Sequence, residues 1–421
     1  MAERVIIIGG GAAGLLAAGR AAECGAATLL LEKTARLGQK LRLTGGGHGN
    51  ITHTGDLRSF LARLPRNGEW LRPALQRFSS HDLVSFFAAQ GLATAADADG
   101  RIFPALRNAH DIVTTLRAWC LQHGVQFRFH SPVQEILVEQ GAVSGVMVDG
   151  KAISAASIVL ATGGASYPQT GSSGDGYRLA RALGHTLSPL RPGLTPLIVR
   201  EEWCHALQGI TLPQATGWLE QGSKRLARGV GDLLFTHFGV SGPLALTLSL
   251  YLGDALAAGP ALLCLDLAPT HTRQSLEDHL RERTATLGRM SVGAALRALP
   301  ARQGATQRMP HALSEALLAR CGVTPSLPLS QLKAAARREV AAWLKRCVLT
   351  IERTLPLEQA TITLGGVSCH EVDPRTMASQ RIAGLFLAGE VLDVSGDSGG
   401  YNLQMAFCTG RLAGESAARV G

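Results

Sequence analysis

Gly9, Gly11 and Gly14 stand at G-x-G-x-x-G spacing, and a carboxylate, Glu32, closes the next apolar run. In a dinucleotide-binding turn the first glycine permits the tight reversal. The second lets the backbone approach a pyrophosphate, and the third lets a helix pack closely on its sheet. A helix that starts there offers free N–H groups and the positive end of its dipole to phosphates. Glu32 can accept hydrogen bonds from both hydroxyls of a ribose. The chemistry this implies belongs to a bound dinucleotide, with the protein supplying position and electrostatics. Candidate proton donors for such chemistry are His48, His237, Tyr401 and Cys408. Each also has a plainer reading, as a structural hydrogen bond or as packing. Neither of the glycine-rich loops holding these residues offers a Ser-His-Asp arrangement or a metal cluster.

The elements that must position these residues are legible around them. Val5 to Ile8 is an apolar, β-branched run suited to a buried parallel strand. Ala12 to Glu23 reads as a helix rich in Ala and Leu, and Thr28 to Leu31 as a second strand. This unit predicts cofactor contacts at Gly9, Gly11, Ala12, Ala13, Gly14 and Glu32. Lys33, Arg36 and Lys40 follow and can face phosphates. Thr44 to Asn50, TGGGHGN, has too many glycines for a helix or strand interior. Such a bare loop lets backbone approach something flat, so Thr44, Gly45, Gly46 and Asn50 join the predicted contacts. His81 to Gln90 and Ala109 to His123 read as amphipathic helices. Gln126 to Val138 reads as one strand carrying a contact at Val133, and residues 143 to 153 alternate like a hairpin.

Ser157 to Gly164 is an apolar strand ending in Ala161-Thr162-Gly163-Gly164, which suits a chain passing back beneath a cofactor. A polar glycine-rich loop follows, then a short helix from Tyr177 to Leu183 ended by Gly184. Near the C-terminus, Ile362 to Val367 returns towards the cofactor, and Leu385 to Leu387 is a strand running into Gly389-Glu390. The loop Gly396 to Met405, GDSGGYNLQM, opens a helix that reaches Ala418. A strand, a glycine-acid pair, a glycine-rich loop and a helix make the second half of a flavin site. Its predicted contacts are Gly389, Glu390, Gly400, Tyr401, Asn402, Leu403 and Gln404. The cofactor expected from both chain ends is FAD. A second G-x-G-x-x-G on a strand–helix unit is lacking, so NAD(P)H, if used, must bind transiently at the flavin face.

The middle of the chain changes character. Residues 197–199, 215–218 and 262–266 are strand-like, and residues 231–249 hold a turn around Gly239 to Pro243 and then a helix. Residues 270 to 346 read as helices, including Leu329 to Cys347. The chain is basic, with net charge +9, and residues 270–353 hold fourteen Lys or Arg against six Asp or Glu, leaving +8 in that segment. The charge reads either as a solvated helical surface or as a surface for an anionic partner such as RNA. Eight scattered cysteines without a C-x-x-C pair suggest neither zinc nor a disulfide framework. No run reaches the roughly 18 apolar residues of a membrane span. A signal peptide is not evident either, so a cytoplasmic protein is expected. The oligomeric state is not legible.

Taken in order, the motifs go beyond a generic flavoprotein. They are Gly9 to Gly14 with Glu32, the loop 44–50, the Ala-Thr-Gly-Gly at 161–164 and the Ser-Tyr-Pro…Gly-Asp-Gly-Tyr at 166–177. The order continues with Phe-Thr-His-x-Gly-x-Ser-Gly-Pro at 235–243, Leu-Gly-Gly-Val at 364–367 and Gly-Glu-x-Leu-Asp…Gly-Gly-Tyr-Asn-Leu-Gln at 389–404. This set resembles the BaiN/RdsA (YhiN-like) family of NAD(P)/FAD-dependent oxidoreductases over nearly the whole chain. The resemblance implies an α/β fold with a Rossmann-like FAD domain built from both chain ends, residues 1–188 and 355–421. A β-rich domain, 189–269 with part of 347–365, and a helical insert, 270–346, would lie between. It further implies reduction of a carbon–carbon double bond, in a steroid-like substrate or in a ribosomal RNA uridine to give dihydrouridine. Relatives usually read Gly-Gly-Gly-Arg-Cys-Asn where this chain has Gly45-Gly46-Gly47-His48-Gly49-Asn50. Two other readings stay open: an FAD-dependent oxidase of an amine or small metabolite, and an FAD-stabilised RNA-binding or assembly protein.

Overall fold

The structure is a computed structural model, and it describes residues 4–299 and 309–420. The chain forms two compact units. One combines Met1–Gly193 with Pro356–Gly421, and the other is Leu194–Leu355.

The first unit is built on a five-stranded parallel sheet. Its strand order is Leu385–Leu387, Ser157–Leu160, Arg4–Ile8, Ala27–Leu31 and Gln126–Arg128. Apolar side chains fill its middle because both faces are covered; Ile6, Ile7, Leu30, Ile158 and Leu385 are fully buried. The first helix, Ala12–Glu23, covers one face and packs on the last helix, Tyr401–Ala417. Small residues set that approach. A Cβ on Gly410 would lie 2.3 Å from the Ala13 carbonyl oxygen, and one on Gly414 2.2 Å from that of Ala17. The two chain ends are thus locked backbone to backbone.

The expected single strand from Gln126 to Val138 is two strands. Gln126–Arg128 ends the parallel sheet, while Val133–Glu139 starts a separate antiparallel sheet with Ala142–Val148 and Lys151–Ser154. His130 takes a left-handed conformation, φ 51°, and Pro132 has no N–H to extend the ladder. Thr52–His53, Arg101–Pro104 and Thr94–Ala96 form a further small sheet in that spatial order.

The second unit is a closed six-stranded barrel. Gly239–Ser241, expected as part of a turn, is one of its strands and pairs with Leu197–Ile198 and with Leu234–Thr236. The helix Gly242–Ser249 follows it. Residues 270–346 fall within this unit. Their described helices are Arg273–Thr286, Val292–Arg297, His311–Arg320 and Ala334–Lys345, and residues 300–308 lie outside the described part. Leu276, Leu317 and Leu344 from these helices share one apolar cluster with barrel residues Leu219, Leu263 and Leu349. The helix expected from Leu329 to Cys347 begins at Ala334 and stops at Lys345. Cys347 is instead the first residue of the closing barrel strand, paired with Leu265. Among the described residues no helix is long and apolar enough to cross a membrane, and no His, Cys, Asp and Glu group could hold a metal ion.

Candidate functional site

The turn after the first strand has the features of a phosphate cradle. Gly9 sits at φ 104°, and a Cβ there would lie 2.6 Å from the Ala161 carbonyl oxygen. A Cβ on Gly14 would lie 1.8 Å from the Gly9 carbonyl oxygen. Gly11 differs: an added Cβ there meets nothing within 4 Å. Gly11 is also the N-cap of the first helix and supplies no side-chain acceptor to the first turn, where Ala12 and Ala13 lie. Open space therefore faces backbone donors, as an incoming pyrophosphate requires.

Glu32 is fixed at the edge of this cradle. One carboxylate oxygen accepts from the Gly10 N–H at 2.7 Å, and the other from the Thr34 N–H and hydroxyl, both at 2.8 Å. A carboxylate has about four lone-pair sites, so acceptor capacity remains for a ribose. The two lysines that follow are held by protein carboxylates. Lys33 is paired with Asp175 at 2.5 Å and also donates to the Ser173 hydroxyl. Lys40 is bonded to Glu390 at 2.8 Å and to the Ser166 hydroxyl at 2.7 Å. Both ammonium groups are therefore neutralised by protein carboxylates, which the sequence places more than a hundred residues away. Arg36 is exposed.

The strand end at Ala161 carries Thr162, whose buried hydroxyl has no hydrogen-bond partner, and Gly163 at φ 75°. Val133 is buried, and its carbonyl accepts from Arg178 at 3.3 Å. Gly389, at φ 76°, docks the C-terminal strand on the first helix, since its Cβ would lie 2.8 Å from that of Ala13. Beside it, Glu390 also accepts from the Thr363 N–H at 2.7 Å.

The loop Thr44–Asn50 is a kinked stretch in which Gly45, Gly46, Gly47 and Gly49 all take positive φ. Gly45 to His48 are exposed, whereas Asn50 is buried with its carbonyl oxygen unpartnered. His48 bonds through Nδ1 to the Gly45 carbonyl at 2.9 Å. The C-terminal glycine loop meets the residues that follow this loop. A Cβ on Gly400 would lie 2.5 Å from the Thr52 carbonyl oxygen, and Tyr401 stacks on His53 with ring centroids 5.1 Å apart. Gly400 is the N-cap of the last helix, again without a side-chain acceptor. Both helix starts thus leave backbone donors for a ligand, and the orphaned oxygens of Asn50 and Thr162 lie on the loops beside them. These residues fit a dinucleotide.

Several polar side chains near the second start are spent on the protein itself. Gln404 is fully buried, accepting from Thr52 Oγ1 at 2.8 Å and donating to the Phe78 carbonyl at 2.9 Å. Asn402 bridges its own loop, accepting from the Gly396 N–H at 2.9 Å and donating to the Gly396 carbonyl at 2.8 Å. The amide of Gln404 is thus spent within the core, and both N–H groups of the Asn402 amide are spent on its own loop. Leu403 is partly buried against the core. Cys408 is fully buried and its thiol donates along its own helix to Met405 O at 3.4 Å. Burial pushes that thiol well above its usual range, and its full enclosure leaves it no path to a substrate, against the expectation that it could donate a proton. Burial also raises the Tyr401 phenol. His237 is exposed on the hairpin of the barrel unit, packed against Phe238.

Sequence reasoning missed His53 and Asp397. Asp397 is buried, bonds Arg63 at 3.2 Å through one oxygen, and leaves the other buried oxygen without a partner. Burial raises its carboxyl. The glycines around both residues were visible in the sequence; the contacts they make with segments at the other end of the chain were not. In the second unit, two of the cations expected to face an anionic partner are occupied. Lys345 is bonded to Asp266 at 2.7 Å and Arg346 to Glu220 at 2.6 Å. Lys333 and Arg338 are exposed.

Comparison with known proteins places this arrangement. The family model described as HI0933-like protein Rossmann domain matches residues 3–416. The chain is 32% identical to a 3-dehydro-bile acid delta(4,6)-reductase of Clostridium scindens, covering 99% of each chain. It is 30% identical to a ribosomal RNA dihydrouridine synthase of Escherichia coli, over 96% of this chain and 94% of that one. Among solved structures, a 3-ketosteroid delta1-dehydrogenase of Sterolibacterium denitrificans shares the fold with TM-score 0.52 and 16% identity, over 98% of this chain and 99% of that one. A 3-ketosteroid-delta4-(5alpha)-dehydrogenase of Rhodococcus jostii does so with TM-score 0.51 and 18% identity, over 99% and 97%. With residues 3–416 matched, the chain belongs to the HI0933-like Rossmann family, the BaiN/RdsA group, and is an FAD-dependent oxidoreductase.

Proposed function

We propose that this protein reduces an electron-poor carbon–carbon double bond. Bound FAD supplies the two-electron, hydride-type chemistry. The observation that carries this reading is the pair of helices with glycine N-caps and no side-chain cap, one from each chain end, on one parallel sheet. The N–H groups at the start of Ala12–Glu23 would hold the pyrophosphate, and Glu32 the ribose of the adenosine half. Asn50 and the N–H groups that follow Gly400 would hold the polar edge of the flavin ring. Exposed backbone at Gly45 to Gly47 would leave room for a flat ring to approach.

The names of the two relatives share one reaction type, the addition of two hydrogens across a double bond. We take a conjugated enone or a uridine ring as the acceptor class, and NAD(P)H as a transient electron donor. Eight unpaired cysteines suit a reducing compartment, and we assign the protein to the cytoplasm.

The test is anaerobic. The purified protein should be yellow and release FAD on denaturation. NADPH should bleach it, and 4-androstene-3,17-dione or an unmodified ribosomal RNA transcript should restore the colour. Bleaching by an amine, with colour restored by oxygen alone, would make it an oxidase. A colourless protein that cannot be reconstituted would overturn the reading.

A further inference from the structure

A double-bond reduction needs a proton as well as a hydride, and the proton donor must be held in one orientation to be effective. The expected candidates fare unequally. Cys408 is sealed inside the last helix, and the Tyr401 phenol is buried and raised. His48 lies on an exposed loop with a single polar contact, to Gly45.

His53, three residues past Asn50, is held on every side but one. Its Nδ1 lies 2.7 Å from the Thr54 carbonyl oxygen. A carbonyl only accepts, so Nδ1 must carry the hydrogen. One face of the ring stacks on Tyr401, with centroids 5.1 Å apart and an interplanar angle of 17°. Gly100 leaves room for its edge, because a Cβ there would fall 2.7 Å from His53 Cε1. Gly399 approaches from the C-terminal loop, its Cβ position 3.6 Å from His53 Cδ2. Nε2 is left with no partner among the described residues, and it is not one of the buried orphan atoms, so it is open to solvent. The charged groups around the ring already have partners. Arg101, opposite His53 in register, is paired with Asp97 at 2.8 Å and Asp99 at 3.1 Å. Arg63 is paired with Asp397. His53 Nε2 therefore faces no charged group that lacks a partner of its own among these neighbours.

We propose that His53 is the proton donor of this site, delivering through Nε2 to the carbon next to the one that receives hydride. The inference rests on the reductase reading above. In the step the Nε2–H bond breaks and its electron pair stays on nitrogen. The new C–H bond takes the electron pair of the substrate's enolate or its uridine equivalent. The neutral imidazole is then reprotonated by water. Nδ1–H remains on Thr54 throughout and keeps the ring in register. Tyr401 acts as the plate behind it.

The test uses the FAD-loaded full chain and its His53→Gln and His53→Ala variants. Histidine ¹⁵N NMR of the wild type should show the neutral ring protonated at Nδ1. The opposite tautomer would overturn the proposal without recourse to any variant. The variants should keep FAD content and bleach with NADPH at the wild-type rate. Recolouring by 4-androstene-3,17-dione or by the RNA transcript, whichever the wild type accepts, should slow about a hundredfold in both. Its pH profile should lose the limb that the donor sets in the wild type. Added imidazole should restore much of the rate to His53→Ala, which a packing role would not allow. If the wild type recolours with neither acceptor, the reductase reading falls and this inference with it. If the wild type recolours and His53→Gln follows within a few-fold, the reductase reading stands and His53 is not the donor.

Discussion

The two helix starts of the first unit look alike in sequence and differ in physical state. Both are glycine-capped and both end a parallel strand's connection. At the N-terminal start the side chains stand back: Gly11 faces open space, and the nearest polar group, Glu32, is anchored with acceptor capacity to spare. At the C-terminal start the polar side chains turn inward. Gln404 ties Thr52 to Phe78, Asn402 ties its loop to itself, and Asp397 is buried beside Arg63. One start is therefore a cradle ready for a ligand, and the other is a framework that keeps distant segments together so that its backbone can face one. Polar letters in a motif are not all ligand contacts.

The sharpest break of this comparison comes from two substitutions in one turn. Gly14→Val places its Cβ 1.8 Å from a backbone oxygen that cannot yield. Overpacking of this severity costs about 3 kcal/mol or more, and the protein should fail to fold or melt far below the wild type. Gly11→Val, three residues earlier, enters open space. The apoprotein should melt within about 0.5 kcal/mol of the wild type, while FAD affinity falls about a hundredfold, near 2.7 kcal/mol. Equilibrium dialysis beside thermal melts separates the two. FAD bound normally by Gly11→Val would remove the cradle from this turn.

What the sequence revealed follows the same division. The first helix, Ala12–Glu23, has the bounds its pattern predicts, because small apolar residues and glycine punctuation are local signals. The glycine tasks were likewise legible, since positive φ and close approach leave few other residue types available. The partners of Lys33 and Lys40, Asp175 and Glu390, were not legible because they are distant in sequence. The Gln126 to Val138 run misled for a related reason: its β-propensity is continuous, but Pro132 and left-handed His130 divide it between two sheets. Gly239 to Ser241 looked like a turn because glycine and proline flank it, yet barrel closure recruits it as a strand. His53 gave no signal at all, since its meaning lies in the stack on Tyr401.

A smaller effect tests the framework side. Gln404→Leu conserves volume but strands the Thr52 hydroxyl and the Phe78 carbonyl in the core. Unmet buried groups of this kind cost about 2 kcal/mol. The loss should appear in denaturant unfolding, with FAD affinity measured on the folded fraction within about threefold of wild type. A tenfold loss of affinity at unchanged stability would return Gln404 to the ligand and erase the contrast between the two starts.

The smallest effect belongs to Asp397, and its sign is the informative part. Burial raises this carboxyl, with Arg63 offsetting only part of that cost. In the folded protein it therefore holds its proton to higher pH than in the unfolded chain, where a carboxyl of this type titrates near 3.9. Between those two values the folded state binds more protons, so stability contributed by this group falls as pH rises. Below the unfolded value the two states are equally protonated, and Asp397→Asn should match the wild type. As pH climbs, the variant should become progressively the more stable, levelling at a difference of about 1 kcal/mol or less once the folded carboxyl has ionised. Melts at constant FAD saturation across pH 3.5 to 8 would trace the curve. A variant less stable than wild type at neutral pH would mean that the Arg63 pair outweighs the burial, and that Asp397, like Glu32, is a carboxylate held ready rather than one sealed away.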